Sequence, residues 1–212
     1  MSTRGRFIVF EGIEGAGKTT AISVARNMLL LSIPEVVTTR EPGGTLLGES
    51  IRSLIKASSS EPMDARAELL LFYAARVQLM TQVILPALDR GAWVLADRFE
   101  LSTFAYQGGG RALPRRMIEE LSLLCLEGIK PDLTVFMDVD PERGLKRVSS
   151  RGPKDRIEQE SLQFFKQVAD CYRTEIKHYP HVHVIDANQP AEEVELNVLT
   201  LFKQQLQSHP DR

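Results

Sequence analysis

Residues 12–19 read Gly12-Ile13-Glu14-Gly15-Ala16-Gly17-Lys18-Thr19, which fits the pattern G-x-x-x-x-G-K-S/T. The spacing suits phosphate: glycines let consecutive backbone N–H groups turn inward around phosphate oxygens, and a helix N-terminus behind them adds partial positive charge. Lys18 is then the residue to reach the β- and γ-phosphates of a nucleotide, and Thr19 the one to hold Mg²⁺. Asp97 closes an apolar run in the manner of a Walker-B acid and is the second candidate for Mg²⁺, directly or through water. Chance matches to such a pattern in a chain this long are on the order of one per cent.

The elements around these residues stand where the chemistry needs them. Short β-rich apolar runs (Phe7 to Phe10, Val36 to Thr39, Trp93 to Ala96, Leu133 to Val139, Val182 to Ile185) alternate with longer stretches of helical spacing, the signature of a parallel sheet covered on both faces. Helices are predicted from Lys18 to about Leu31, Leu46 to Lys56, Ala65 to Leu88 with a break near Pro86, Pro114 to about Glu127, Pro141 to about Ser149, Glu158 to Lys177, and after Pro190. The glycine loop thus falls between a strand and a helix, and Asp97 at a strand end.

Composition narrows the partners. With 212 residues and 43% hydrophobic content the chain suits one well-buried domain. Lys and Arg number 26 against 28 Asp and Glu, so no overall field favours nucleic acid or an anionic membrane, and any anion site must be local. No apolar run reads as a membrane span of roughly 20 residues. Cys125 and Cys171 lie far apart, outside metal-ligand spacing, which suits reduced thiols in the cytoplasm.

The glycine loop alone leaves open GTPases, motor ATPases, nucleotide-regulated switches and small-molecule kinases. The absence of an N-K-x-D tetrapeptide argues against a Ras-like GTPase, and an intact Lys18, Thr19 and Asp97 argue against a mere switch. Arginines are scattered through loops and strand ends: Arg40, Arg52, Arg76, Arg98, Arg111, and the group Arg147, Arg151, Arg156. Arg40 and Arg98 fall at the carboxyl ends of predicted strands, where open α/β sheets bind ligands.

Six segments make the resemblance specific: Phe10 to Thr19, Thr39-Arg40-Glu41-Pro42-Gly43-Gly44, Phe72-Tyr73-Ala74-Ala75-Arg76, Asp97-Arg98-Phe99, Ser102 to Gly109 with its Ala105-Tyr106-Gln107-Gly108 core, and Asp155-Arg156-Ile157-Glu158. With these the chain resembles the bacterial thymidylate kinases over essentially its whole length. The resemblance implies one P-loop kinase domain over residues 1–212, a five-stranded parallel sheet flanked by helices, a mobile lid at about 149–157, and a homodimer. It implies transfer of the γ-phosphoryl group of ATP to dTMP with Mg²⁺. It also implies a cis peptide at Glu41-Pro42.

Residue by residue, the resemblance implies that Phe72 stacks on thymine and that Arg76, one helical turn on, donates to O4. Thr103 and Gln107 match polar residues at the base edge, and Tyr106 an aromatic near the deoxyribose. Arg52 and Arg98 match arginines that grip the dTMP phosphate, where a guanidinium fork suits a dianion. Glu14, an acid in a phosphate-cradling loop, matches a residue that faces the acceptor sugar. A P-loop without a basic residue pairs in this family with lid arginines, which points to Arg151 and Arg156 on the transferring phosphoryl group. Phe99 departs from the Asp-Arg-Tyr form common in the family, which puts any role of that hydroxyl in doubt.

Overall fold

The computed structural model describes residues 4–149 and 154–208. Strands β1 (Phe7–Glu11), β2 (Val36–Arg40), β3 (Trp93–Asp97), β4 (Leu133–Asp138) and β5 (Val182–Asp186) pair in parallel in the order β2-β3-β1-β4-β5. Helices are α1 (Lys18–Leu29), α2 (Leu46–Lys56), α3 (Ala65–Leu79), α4 (Leu85–Asp89), α5 (Glu100–Thr103), α6 (Arg115–Leu126), α7 (Pro141–Ser149), α8 (Leu162–Glu175) and α9 (Ala191–Gln207). Period-2 alternation divides the apolar side chains between two cores. Ile8, Phe10, Leu95 and Val135 meet residues of α1, α8 and α9, whereas Phe7, Val9, Val94 and Ala96 meet Leu79, Ile84, Leu88 and Leu126. Every residue of β1 is buried, as expected of a strand covered on both faces.

Register places the chemistry at one end of the sheet. Phe10 and Arg40 both stand opposite Asp97, so the carboxyl ends of β1, β2 and β3 are level. The chain order reverses here: β1 leads to β2 by way of α1, past β3, and a cleft opens beyond the strand ends, where doubly wound sheets bind ligands.

Three elements differ from the sequence reading. Pro86 does not break the helix: a π-helical turn at Met80–Ile84, where the Leu85 N–H reaches the Met80 carbonyl, carries α3 into α4 and accommodates the missing N–H. The resulting run Ala65–Asp89 is long and apolar enough to cross a membrane by length and composition alone, contrary to expectation. Its Leu69, Tyr73, Leu79 and Ile84 are core side chains, and its Glu68 and Arg76 are buried in ion pairs. The helix expected from Glu158 starts instead at Leu162, with the Ser161 hydroxyl accepting from the Phe164 N–H at 3.1 Å. Before it, the Asp155 carboxylate takes the N–H groups of Ile157 and Glu158 and holds a turn.

The third difference is α5 with a π-helical segment at Phe104–Gly110, where no helix is predicted. Close approach by α8 explains Gly109 and Gly110: a Cβ on Gly109 would lie 2.5 Å from Cys171 Cβ, and one on Gly110 2.5 Å from the Phe164 ring. Glu41-Pro42 is cis, as expected.

Candidate active site

The P-loop turns from β1 into α1 with Ile13 and Ala16 buried beneath it. Gly15 has φ 74° and backs onto Gly144 of α7; a Cβ there would meet the Gly144 carbonyl oxygen at 2.1 Å. Lys18 Nζ donates to the carbonyls of Gly12 (2.9 Å) and Ile13 (3.1 Å) and stands 4.0 Å from Asp97 Oδ1. Burial, and then the charge of Arg98, bring the Lys18 amine down to about 8, against the pull of Asp97 and Glu14. A polyanion in the loop would push it up again.

Thr19 is exposed on the first turn of α1, and Asp97 Oδ1 is buried without a hydrogen-bond partner. An orphaned carboxylate oxygen beside a phosphate loop fits a hard divalent cation. Among the described residues no cluster of three or more His, Cys, Asp or Glu could hold a metal unaided. A cation here would draw most of its ligands from phosphates and water, as Mg²⁺ does at nucleotide sites.

Glu14 is not left to repel phosphate. Its Oε1 accepts from Arg98 Nη2 at 2.8 Å, and Oε2 from the Tyr106 hydroxyl. Arg98 adopts φ 73°, unusual for a residue with a Cβ, and its Nη1 also reaches the Gly12 carbonyl at 2.8 Å, so it binds the P-loop twice. Behind it, buried Glu11 accepts from Ser102, Tyr172 and the Phe99 N–H. Arg52 donates to the Pro42 carbonyl at 2.9 Å, and burial followed by the neighbouring Arg40 charge lowers its pKa, the mark of crowded cations that a dianion would relieve.

The far wall of the cleft is α3. Phe72 lines it, and Arg76, only 1% exposed, donates Nε to Glu41 at 2.7 Å and Nη2 to Thr103 (2.9 Å) and the Phe99 carbonyl (3.1 Å), while Nη1 has no partner. Gln107 also lines the cleft and gives Nε2 to Glu68 at 2.8 Å. The Phe99 ring meets Phe7 edge-on in the core and has the Arg76 guanidinium over it, 5.3 Å from its centroid, so a ring without a hydroxyl stands where the tyrosine was expected.

The structure brings together Gly12 to Thr19, Arg52, Phe72, Arg76, Asp97, Arg98, Thr103, Tyr106 and Gln107. The Arg156 guanidinium, expected at the transferring phosphoryl group, donates to the Ile55 carbonyl at 2.7 Å and to Glu68. Arg151 lies outside the described residues.

A family model described as Thymidylate kinase matches residues 10–198. The chain is 52% identical over 204 residues to a thymidylate kinase of Legionella pneumophila (strain Corby), covering 96% of each chain. It is 46% identical over 198 residues to a thymidylate kinase of Pseudoalteromonas translucida (strain TAC 125), covering 93% of this chain and 95% of the other. This chain belongs to the thymidylate kinase family.

For a thymidylate kinase family member, several charged groups in and behind the cleft had no role in the sequence reading. Glu41 and Glu68 anchor Arg76 and Gln107, and Arg147 joins the Gly15 carbonyl (3.1 Å) to the Ala187 carbonyl (3.2 Å) after β5. One signal in the sequence could have found Glu68: it and Arg76 are charges set eight apart with only aliphatic and aromatic residues, Leu69 to Ala75, between them.

Proposed function

We infer that this chain transfers the γ-phosphoryl group of ATP to dTMP, giving ADP and dTDP. The observation that carries the acceptor assignment is Arg76, a buried guanidinium with Nη1 unpartnered, four residues after Phe72 in the same cleft. A buried donor left without an acceptor costs about 1–3 kcal/mol, which a carbonyl such as thymine O4 would recover while Phe72 covers the ring.

Gly12 to Thr19 cradle the ATP phosphates, with Lys18 on the β- and γ-oxygens. Thr19 and Asp97 would hold Mg²⁺, which when bound would supply neutralising charge to the phosphates. Arg52 and Arg98 take the dTMP phosphate, Glu14 and Tyr106 the sugar, Thr103 and Gln107 the base edge. Arg151 is a lid arginine for the transferring phosphoryl group, and Arg156 a second candidate that starts from its bond to Glu68. The acceptor phosphate needs no general base, since its second pKa of about 6 leaves it largely ionised at pH 7. The residues therefore act by alignment of two polyanions and by charge stabilisation in a loose transition state.

The same reading takes residues 1–212 as one domain, with the lid at about 149–157, working as a cytoplasmic homodimer. Exposed Leu46, Leu47 and Leu54 of α2 and Leu70 of adjoining α3 support a second copy, and the free thiols Cys125 and Cys171 support a reducing compartment. A coupled ADP-release assay over dTMP, dCMP, GMP and thymidine tests the activity. Steady release with dTMP above the others is expected; ATP binding with no acceptor-dependent turnover would make the chain a nucleotide switch.

A further inference from the structure

Glu68 is 1% exposed in the first turn of α3 and lies outside the lining of the cleft. Its Oε1 accepts from Gln107 Nε2 at 2.8 Å and from Arg111 Nε at 3.2 Å. Its Oε2 accepts from Arg111 Nη2 and Arg156 Nη2. Burial alone would raise the carboxyl, but the charge of Arg111 and the bonds from Gln107, Arg111 and Arg156 outweigh it and hold the group below its ordinary value. At neutral pH it is a carboxylate, which accepts and never donates.

That asymmetry settles an amide. A glutamine offers donors at one end and an acceptor at the other, and the two orientations occupy the same space. Against a carboxylate only the NH₂ end is tolerated, so Nε2 faces Glu68 and Oε1 is the end left for a ligand in the cleft. Arg76 is fixed in the same way by Glu41 and Thr103, leaving Nη1 as a donor. The wall therefore offers one donor and one acceptor. Thymine and uracil present the complement, the O4 acceptor beside the N3–H donor; cytosine presents an amino donor beside a bare N3, opposed at both points.

We propose that Glu68, which touches no substrate, is a specificity-determining positioning residue: by holding Gln107 Nε2 it aims the amide oxygen at the base and so rejects cytosine. This rests on the reading of the acceptor as dTMP. Glu68→Gln keeps the size and removes the asymmetry, because a second amide lets Gln107 take either orientation. The variant should narrow the dTMP to dCMP ratio of kcat/KM by at least about tenfold, the scale of one unmatched hydrogen bond. The dTMP to dUMP ratio, which reads only the methyl, and the KM for ATP should stay put.

A purely structural Glu68 would lower kcat/KM for all three acceptors alike, and that result overturns the proposal. In a Gln107→Leu background Glu68→Gln should no longer alter base ranking; a persisting effect also overturns it. An independent readout is the Gln107 side-chain NH₂ resonance of the wild-type enzyme. Slow exchange with solvent is expected of an amide bonded to a buried carboxylate, and rapid exchange contradicts it. A wild-type enzyme without dTMP-dependent ADP release strikes the functional reading first, and the proposal with it.

Discussion

Glu14 of the P-loop and Arg98 of the turn after β3 form an ion pair at 2.8 Å, across 84 residues of chain. Removing the arginine leaves a carboxylate facing phosphates, so Arg98→Ala should harm ATP and dTMP binding by more than one lost contact. Adding Glu14→Gln should recover part of the loss, with a coupling of about 0.5–3 kcal/mol in a double-mutant cycle. Calorimetric Kd values for ATP over the four proteins check this. Strict additivity would mean the pair does not act as a unit.

Arg76 should carry both stability and base choice. Arg76→Ala leaves Glu41 buried without its cation, which should cost roughly 3–5 kcal/mol, less whatever protonation of Glu41 relieves. In assays at low temperature the variant should bind dTMP far more weakly while its preference over dCMP narrows. Wild type should rank dTMP, dUMP, dCMP, with the methyl worth about 1–3 kcal/mol and the second gap at least as large. Unchanged ranking in the variant would detach Arg76 from the base.

Glu41 makes stability depend on pH in an unusual direction. Burial lifts its carboxyl from 4.5 to about 7, and Arg76 offsets that only partly. Between those values the folded chain binds the proton and the unfolded chain does not, so this contribution is complete below about pH 4.5 and lost as the pH rises through about 7. Urea unfolding from pH 5 to 8 should show wild type losing ground to Glu41→Gln by up to roughly 3 kcal/mol. Parallel pH profiles of the two proteins would contradict it.

The two lid-side arginines should separate kinetically. Arg151→Ala is expected to lower kcat by roughly 10²-fold or more, the scale of arginine fingers. Arg156, held by Glu68 and the Ile55 carbonyl, should instead affect melting temperature and the acceptor KM, with kcat changed by only a few-fold. Steady-state kinetics of both variants decide the matter. A large fall in kcat for Arg156→Ala would show that it leaves Glu68 during the reaction.

The strands and the P-loop are legible in the sequence because they obey local rules: apolar runs of the right length, a glycine pattern, an acid and an arginine at a strand end. The partners of the charges are not. Glu41 and Arg76 are 35 residues apart, and Gln107 and Glu68 are 39, so no local pattern announces either pair. The π-helical turn before Pro86 is hidden for another reason, since proline shows that a helix must adjust and not how. Arg156 illustrates the first of these limits over a longer span: its partner Glu68 stands 88 residues away, and no motif around either residue announces the bond.

The glycine-to-glycine contact between the P-loop and α7 has a mechanical side. Gly15 and Gly144 meet backbone to backbone, with no room for even a methyl group on either, and Arg147 clamps the same junction through the Gly15 carbonyl. Side chains can deform under load, but two abutting main chains have no slack to give. Any displacement of α7 is therefore delivered undamped to the P-loop, and helix and loop move as one piece.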